Sequence, residues 1–362
     1  MEALLERLAV LKDPRAANAS HPYLGLLLGI VWALAAGCVG PEAIAGFITD
    51  RFDELRRWTT MGRQPPCPRT IQRVLKGTGA AAGALLDRVG PLPDRDILAL
   101  DGKVVRGASK RRHHVHVVTA WSTPRQRSVA TSVVDHKGRE PQALLDLIAR
   151  TARPGVTITI DANGAKRGLA KAIIDQDAGY ILALKNNNKK TLRAVAAAFG
   201  EASDPAVFEE TDKGHGRLEI RRATVLPASG LTGFRPWPGL TAIGRIERVR
   251  EELGKGKDGG IKRTVEICYH LLSERTSAQD YAGRARGHWG IENKLHGVLD
   301  TTMDEDHCQL QGAAAVALSL LRRFTLSLIR TPPGFRSIAQ TMRHLARNVD
   351  AFIRMIALMG VT

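Results

Sequence analysis

The chain is poor in cysteine, in aromatic side chains, in acidic residues relative to basic ones and in long apolar runs. Each shortage removes a class of protein. Its four cysteines, Cys38, Cys67, Cys268 and Cys308, are widely separated and form no CxxC pair. A dense disulfide framework and a structural zinc knuckle are therefore excluded, and reduced thiols in a cytosolic protein are expected. Aromatic residues make up 5% of the 362 positions, too few for a binding surface built mainly from stacking platforms. Acidic residues number 36 against 53 lysines and arginines, a formal charge of +17. An anionic partner follows, nucleic acid ahead of an acidic membrane surface. Long apolar runs reduce to one, residues 23–40, which is uncharged but holds four glycines and lies between two prolines, Pro22 and Pro41. It has no basic cluster beside it and no second segment like it. The expectation is a buried helix and no membrane span. The first 15 residues mix both charges and lack the basic-then-apolar order of a signal peptide.

What is present is ordinary globular material, 44% apolar and 25% charged. Residues 1–95 read as a small all-helical domain, with apolar residues at helical intervals in PEAIAGFITDRFDELRRW and a helix start at Pro68 before TIQRVLKGTG. The pattern changes near residue 97. ILALDGK, HHVHVVTAW and SVATSVVD read as three strands with an antiparallel opening. An amphipathic helix (PQALLDLIART), a strand (VTITIDA), a second helix (AKRGLAKAIIDQDAG) and a strand (YILALK) follow. This alternation indicates an α/β sheet. Residues 205–275 turn β-rich, with a hairpin-like GKGKDGGIK turn, and are read as an insertion. Helices return in RARGHWGIENKLHGVLD and AAAVALSLLRRFTLSLIR, and residues 333–362 form a last amphipathic helical segment.

The charge is not spread evenly. Residues 101–190 hold 17 basic and 7 acidic side chains, a surplus of +10, whereas residues 1–96 carry only +2. If the helical start meets DNA, it does so through a few placed arginines such as Arg69 and Arg73; a packing or dimerisation role is the other reading. Within the basic segment two aspartates, Asp101 and Asp161, close apolar strands. Carboxylates at strand ends beside a basic surface suit metal-assisted phosphodiester chemistry. There, two divalent ions about 4 Å apart activate the attacking oxygen and steady the leaving one. Hard oxygen ligands suit Mg²⁺. A strand-end Asp also serves as a turn or cap residue, so neither position is decisive alone. Glu292 in GHWGIEN is the best third carboxylate. His288 and His296 lie four residues on either side of it, on one helical stripe. A plain polar helix face and a His/His/Glu zinc site stay open for this stripe, although HExxH is missing.

Taken together, these pieces resemble the ISAs1 (H-repeat-associated) family within the IS4-like DDE transposases. The resemblance is carried, in order from about residue 12 to 332, by DPR, HPYLGLLLG, TIQRVL, ALDGKVVRG, VVDHKGREPQALLDLI, TITIDANGAKRGLAKAI, GYILALKNNNK, KGHGRLEIRR, WPGLTAIGRIERVR and HWGIENKLHGVLDTTMDEDHCQLQGAAAVALSLLRRFTLSLIR. It implies a helical transposase-associated domain over 1–95 and an RNase H-like catalytic domain over 96–332, its β-rich insertion at 205–275. Asp101, Asp161 and Glu292 would be the catalytic triad and ligands of Mg²⁺, with Mn²⁺ as substitute. The function implied is cleavage and strand transfer at the ends of an insertion sequence. The partners would be double-stranded DNA, as terminal inverted repeats and target, and a second copy in a synaptic homodimer. The setting would be bacterial cytoplasm, at the nucleoid when DNA-bound.

Lys103, Arg106, Lys185, Lys189, His288 and His296 are the candidate DNA contacts. Lys137 and Glu140 resemble the family's Lys-x-x-Glu element, structural or DNA-facing, and GHGR with His215 and Arg217 is a turn or part of a DNA groove. Arg322 and Arg323 interrupt an apolar helix and are expected at DNA or solvent. The wider signature has Tyr, Arg and Lys around its Glu, where this chain has Ala285, His288 and Leu299; KNNNK stands for KGNQ and Gly297 for Trp. Two alternatives remain at this point: an RNase H-like nuclease without strand transfer, and a catalytically silent DNA-binding remnant.

Overall fold

The computed structural model describes residues 1–88, 94–109, 115–214, 217–253, 261–330 and 337–357. The chain forms a mixed α/β fold with a β-sheet core and helical extensions, consistent with an RNase H-like DDE fold. It divides into two compact units that do not follow chain order. The first collects residues 1–93, 101–150 and 290–362, and the second residues 94–100 and 151–289.

The first unit opens with helices α1 (Glu2–Leu8), α2 (Tyr23–Ala35), α3 (Pro41–Asp50), α4 (Phe52–Trp58) and α5 (Pro68–Thr78), then a 3₁₀ segment over Gly79–Arg88. α2 is the apolar run read from the sequence, and every residue in it except Leu24 is buried. Trp32 at its centre stacks on Phe352 at 5.0 Å and meets Phe47 edge-on at 5.4 Å. α5 starts with Pro68 in its first turn and ends at Gly79, whose φ of 49° suits a residue without Cβ. It buries Ile71, Val74, Leu75 and Thr78.

Strand β1 (Asp96–Val104) runs from the second unit into the first. There β2 (His116–Ser122) lies between β1 and β3 (Arg127–Val134) in the strand order. β2 and β3 pair antiparallel, as the sequence pattern indicated. Helix α6 (Glu140–Thr151) follows.

The second unit continues with β4 (Val156–Ile160), α7 (Arg167–Ile174), β5 (Gly179–Leu184), α8 (Lys189–Glu201), β6 (Val207–Gly214), β7 (Arg217–Pro227), β8 (Ala242–Leu253), β9 (Ile261–Leu272) and α9 (Ala278–Gly290). Its strand order is β1-β4-β5-β9-β8-β7-β6. β1, β4 and β5 are parallel; all five residues of β4 are buried, the mark of a strand covered on both faces. β9 then joins β5 antiparallel, and β6 to β9 form an antiparallel meander. This is the β-rich stretch of the sequence. Its hairpin residues 254–260 lie outside the described residues, while the flanking Leu253 and Ile261 are paired. Tyr281 of α9 packs into Ile181, Ala223, Ala242, Ile246 and Leu272. Gly244 of β8 lies so close beneath the Tyr281 ring that any Cβ would strike it.

The first unit resumes with a π-helical turn at Ile291–His296, then α10 (Gly297–Thr301), α11 (Gly312–Ile329), α12 (Ile338–Arg347) and α13 (Val349–Ala357). Among the described residues α11 alone is long and apolar enough to cross a membrane, and 83% of it is buried inside the fold. It packs on α2, α5 and β3 as a core helix.

Candidate active site

β4 delivers Asp161 directly after its last residue, Ile160. The carboxylate Oδ1 accepts a hydrogen bond from the Gly164 amide at 2.9 Å, which fixes the turn that follows. That turn is held a second time. Asn187 Nδ2 donates to the Ala162 carbonyl at 2.5 Å and Asn188 Nδ2 to that of Ala165 at 3.0 Å. The NNN run that departs from the family pattern thus braces the loop behind Asp161. Lys185 and Lys189 flank it, and both are exposed.

α9 is tied to β4 by two polar rungs. Arg284 Nη1 donates to Thr157 Oγ1 at 3.0 Å, and one helical turn on, His288 Nδ1 lies 2.9 Å from Thr159 Oγ1. Burial lowers the pKa of His288, and the charge of Asp161 only partly offsets this, so the ring is neutral at neutral pH.

In the first unit Asp101 lies within β1, not at its end as the sequence suggested, since the strand runs on to Val104. The aspartate follows Leu100, the last residue paired with β4, and its side chain is 20% exposed. Its Oδ2 lies 3.4 Å from His296 Nδ1. Burial, with Arg323 and Lys103 nearby, drives the His296 pKa down to about 3, so this too is a neutral imidazole beside a carboxylate. Lys103, two residues on, is buried, its Nζ 2.6 Å from Asp300 and 3.0 Å from Asp306. Its charge is held inside the fold. Arg106, by contrast, leaves 83% of its side chain exposed while approaching Asp306 at 3.6 Å. Glu140 lies 3.5 Å from the buried His116. Lys137 begins a 3₁₀ turn, and its side chain lies outside the described set, as does His215.

Glu292 is exposed in the π turn, and its carboxylate has no hydrogen bond or ion pair among the described residues. The three side chains expected on one stripe have different surroundings: His288 meets Thr159, His296 is largely enclosed beside Asp101, and Glu292 faces solvent. A second correction concerns Arg322 and Arg323, expected at DNA or solvent. Both are buried, because Arg322 Nη2 donates to the Val39 carbonyl at 2.7 Å and Arg323 Nη1 to Glu305 at 2.8 Å.

The donor set is carboxylate oxygen, the kind a hard divalent cation takes, and Glu292 is unencumbered. The residues fit Mg²⁺ or Mn²⁺ in kind. Among the described residues no three His, Cys, Asp or Glu side chains are gathered into a ready-made cage.

Two surfaces differ in what their cations do. On the β6–β9 meander the arginines meet acids. Arg221 reaches Glu219 at 2.6 Å, Arg222 reaches Glu209 at 2.7 Å, Arg263 reaches Glu251 at 3.7 Å, and Arg248 pairs with Glu266. The outer face of α5 presents Arg69, Gln72, Arg73 and Lys76, all exposed, and its three cations have no ion pair among the described residues. Residues 69, 72, 73 and 76 share one helix face, opposite the buried one.

Comparison with known proteins gives a consistent pattern. The family described as "Transposase DDE domain" matches residues 92–329, and "DDE_Tnp_1-associated" matches residues 5–82. The chain is 27% identical, over the whole of both chains, to "Putative protein YbfL" of Escherichia coli K12. It is 26% identical, also over both whole chains, to that organism's "H repeat-associated putative transposase YhhI". A protein of Xanthobacter autotrophicus, "Uncharacterized protein in dhlA 3'region", is 32% identical over 68% of this chain and 88% of its own. Among solved structures, the piggyBac transposase synaptic complex with hairpin DNA aligns with 97% of this chain and 78% of its own, at 10% identity and a TM-score of 0.46.

Proposed function

We propose that this chain, which belongs to the transposase DDE domain family, is an IS4/ISAs1-type DNA transposase that cleaves and joins DNA at the ends of an insertion sequence. The observation that carries the reading is one of register. Leu100 of β1 and Ile160 of β4 are partners on adjacent parallel strands, and Asp101 and Asp161 are the next residue after each.

Asp101, Asp161 and Glu292 would hold the divalent cation, Mg²⁺ or Mn²⁺. When bound, it supplies charge stabilisation at the phosphate and lowers the pKa of the attacking water or 3′ hydroxyl. The chain's own part is positioning. The Gly164 amide, Asn187 and Asn188 hold the Asp161 turn. The neutral His296 ring sits beside Asp101 without neutralising its charge. Lys185 and Lys189 are exposed cations and Arg106 is exposed beside Asp306; all three can meet phosphates, which gives affinity without sequence reading. Sequence reading falls to α5, whose Arg69, Gln72 and Arg73 are the residue types that bond base edges in a major groove. The protein works in the cytoplasm, on chromosomal DNA.

The test is strand cleavage and joining on DNA carrying the element's terminal repeats, with Mg²⁺ added. Asp161→Asn and Glu292→Gln should each abolish cleavage while DNA binding persists. Cleavage at the native rate in either variant would overturn the site, and cleavage by the native chain without joined product would leave only a nuclease.

A further inference from the structure

The β6–β9 meander has two edges, and they are built differently. β6 ends the strand order and carries Glu209, Glu210 and Asp212, charges that discourage another strand from pairing there. The other edge belongs to β9. β5 covers only Tyr269–Leu272 of that strand, so among the described residues 261–268 have a strand neighbour on the β8 side alone. Residues 261–267 are all exposed, and Ile261, Val265 and Ile267 are 67%, 54% and 49% accessible. A seven-residue strand with an open edge and three exposed branched apolar side chains is a template for strand addition.

We propose that Ile261–Ile267 pairs antiparallel with the same segment of a second copy of this chain, about a two-fold axis at Thr264. The argument is self-complementarity. An antiparallel pair related by a two-fold keeps both copies' faces on the same sides, so odd positions meet odd and even meet even. Centred on Thr264, Ile261 stands opposite the second copy's Ile267, and Lys262 opposite the second copy's Glu266. Within one chain Lys262 is already in register with Glu252 of β8, and Glu266 with Arg248. The row across the joined sheets therefore reads Glu252, Lys262, then the second copy's Glu266 and Arg248, alternating in sign throughout. Neighbouring registers lose this. Centring on Lys262 or Arg263 sets like charges against each other, and centring on Val265 leaves Lys262 opposite a cysteine.

The pairing needs no DNA and does not rest on the transposase reading, so it can fail or succeed alone. Light scattering on the full-length protein without DNA should give a dimer. Lys262→Glu and Glu266→Lys should each weaken association by roughly tenfold or more, since each puts two like-charge pairs across the axis. An equimolar mixture of the two variants should restore the dimer, because both pairs are then opposite in sign. In a Cys67→Ser background Thr264→Cys should form a disulfide-linked dimer on mild oxidation, in preference to Lys262→Cys or Glu266→Cys. A monomeric native chain, a mixture that does not recover, equal cross-linking at all three positions, or an edge that pairs only with a strand of another protein would overturn the proposal.

Discussion

Replacing Arg323 with Met tests the one ion pair, among the described residues, with both side chains fully buried. Arg323 and Glu305 are both 0% exposed, and their ion pair is 2.8 Å long. Ser319 completes the group, accepting from Arg323 Nη1 through its carbonyl at 3.1 Å and donating its own hydroxyl to Glu305 Oε1 at 2.8 Å. Removing one partner strands a carboxylate in an apolar interior, at a cost of about 3–5 kcal/mol. The pH dependence carries a sign. Burial raises the Glu305 pKa, but Arg323 and Arg322 outweigh it, and the net position lies below the ordinary 4.5. In the native chain this group therefore adds stability above the ordinary carboxylate pKa and loses it as pH falls through the depressed value. Without Arg323 the burial effect dominates and the pKa rises above 4.5. The variant's penalty is then largest at neutral pH and shrinks on acidification. Urea unfolding followed by circular dichroism at pH 7.5 and 5 measures both. The double variant Arg323→Met with Glu305→Leu should recover most of the loss, since an apolar pair replaces the ionic one. A single-variant cost below about 1 kcal/mol, or one that grows at low pH, would refute this account.

Two other predictions use different observables. Arg69→Ala with Arg73→Ala should weaken binding to terminal-repeat DNA and make the log–log salt slope shallower by about 0.9 for each phosphate no longer neutralised, with the melting temperature unchanged; an unaltered affinity and slope would remove α5 from the interface. His270, bonded to the Tyr281 hydroxyl at 2.7 Å, is pushed down to about 3 by burial. Below pH 6.5 the unfolded chain takes up a proton that the folded one refuses, so this group alone should remove about 2 kcal/mol of stability between pH 7.5 and 5. A His270→Asn chain showing the same acid sensitivity would contradict it.

The elements that the sequence made legible are those whose signal is periodic and local. The burial of α2 follows from uncharged residues interrupted by glycine, and β4 from five consecutive apolar or threonine residues with no polar face to expose. Of the two aspartates read as closing strands, Asp161 does follow the last residue of β4, whereas β1 continues through Asp101 to Val104. What was not legible depends on partners distant in the chain. Arg322 and Arg323 look like a charged interruption of an apolar helix. Only Glu305, 18 residues before Arg323, and the Val39 carbonyl, 283 residues before Arg322, turn them into core residues. Lys103 is the same case, since a lysine two places after a strand-end aspartate reads as a phosphate contact until Asp300 and Asp306 enclose it. An unused signal did exist in the acid-rich DTTMDEDHC, which supplies three of those carboxylates.

The π turn was not legible, since nothing in IENKLH announces its i→i+5 bonds. Four-residue spacing keeps Glu292 and His296 near one face in either kind of helix, so it is their surroundings that differ. His296 turns inward to Asp101 as a neutral ring, and Glu292 keeps an open carboxylate. A protonated histidine on the same face as Glu292 would compete with a divalent cation for that carboxylate. Burial of His296 beside Asp101 keeps its ring uncharged and so leaves the third proposed ligand available.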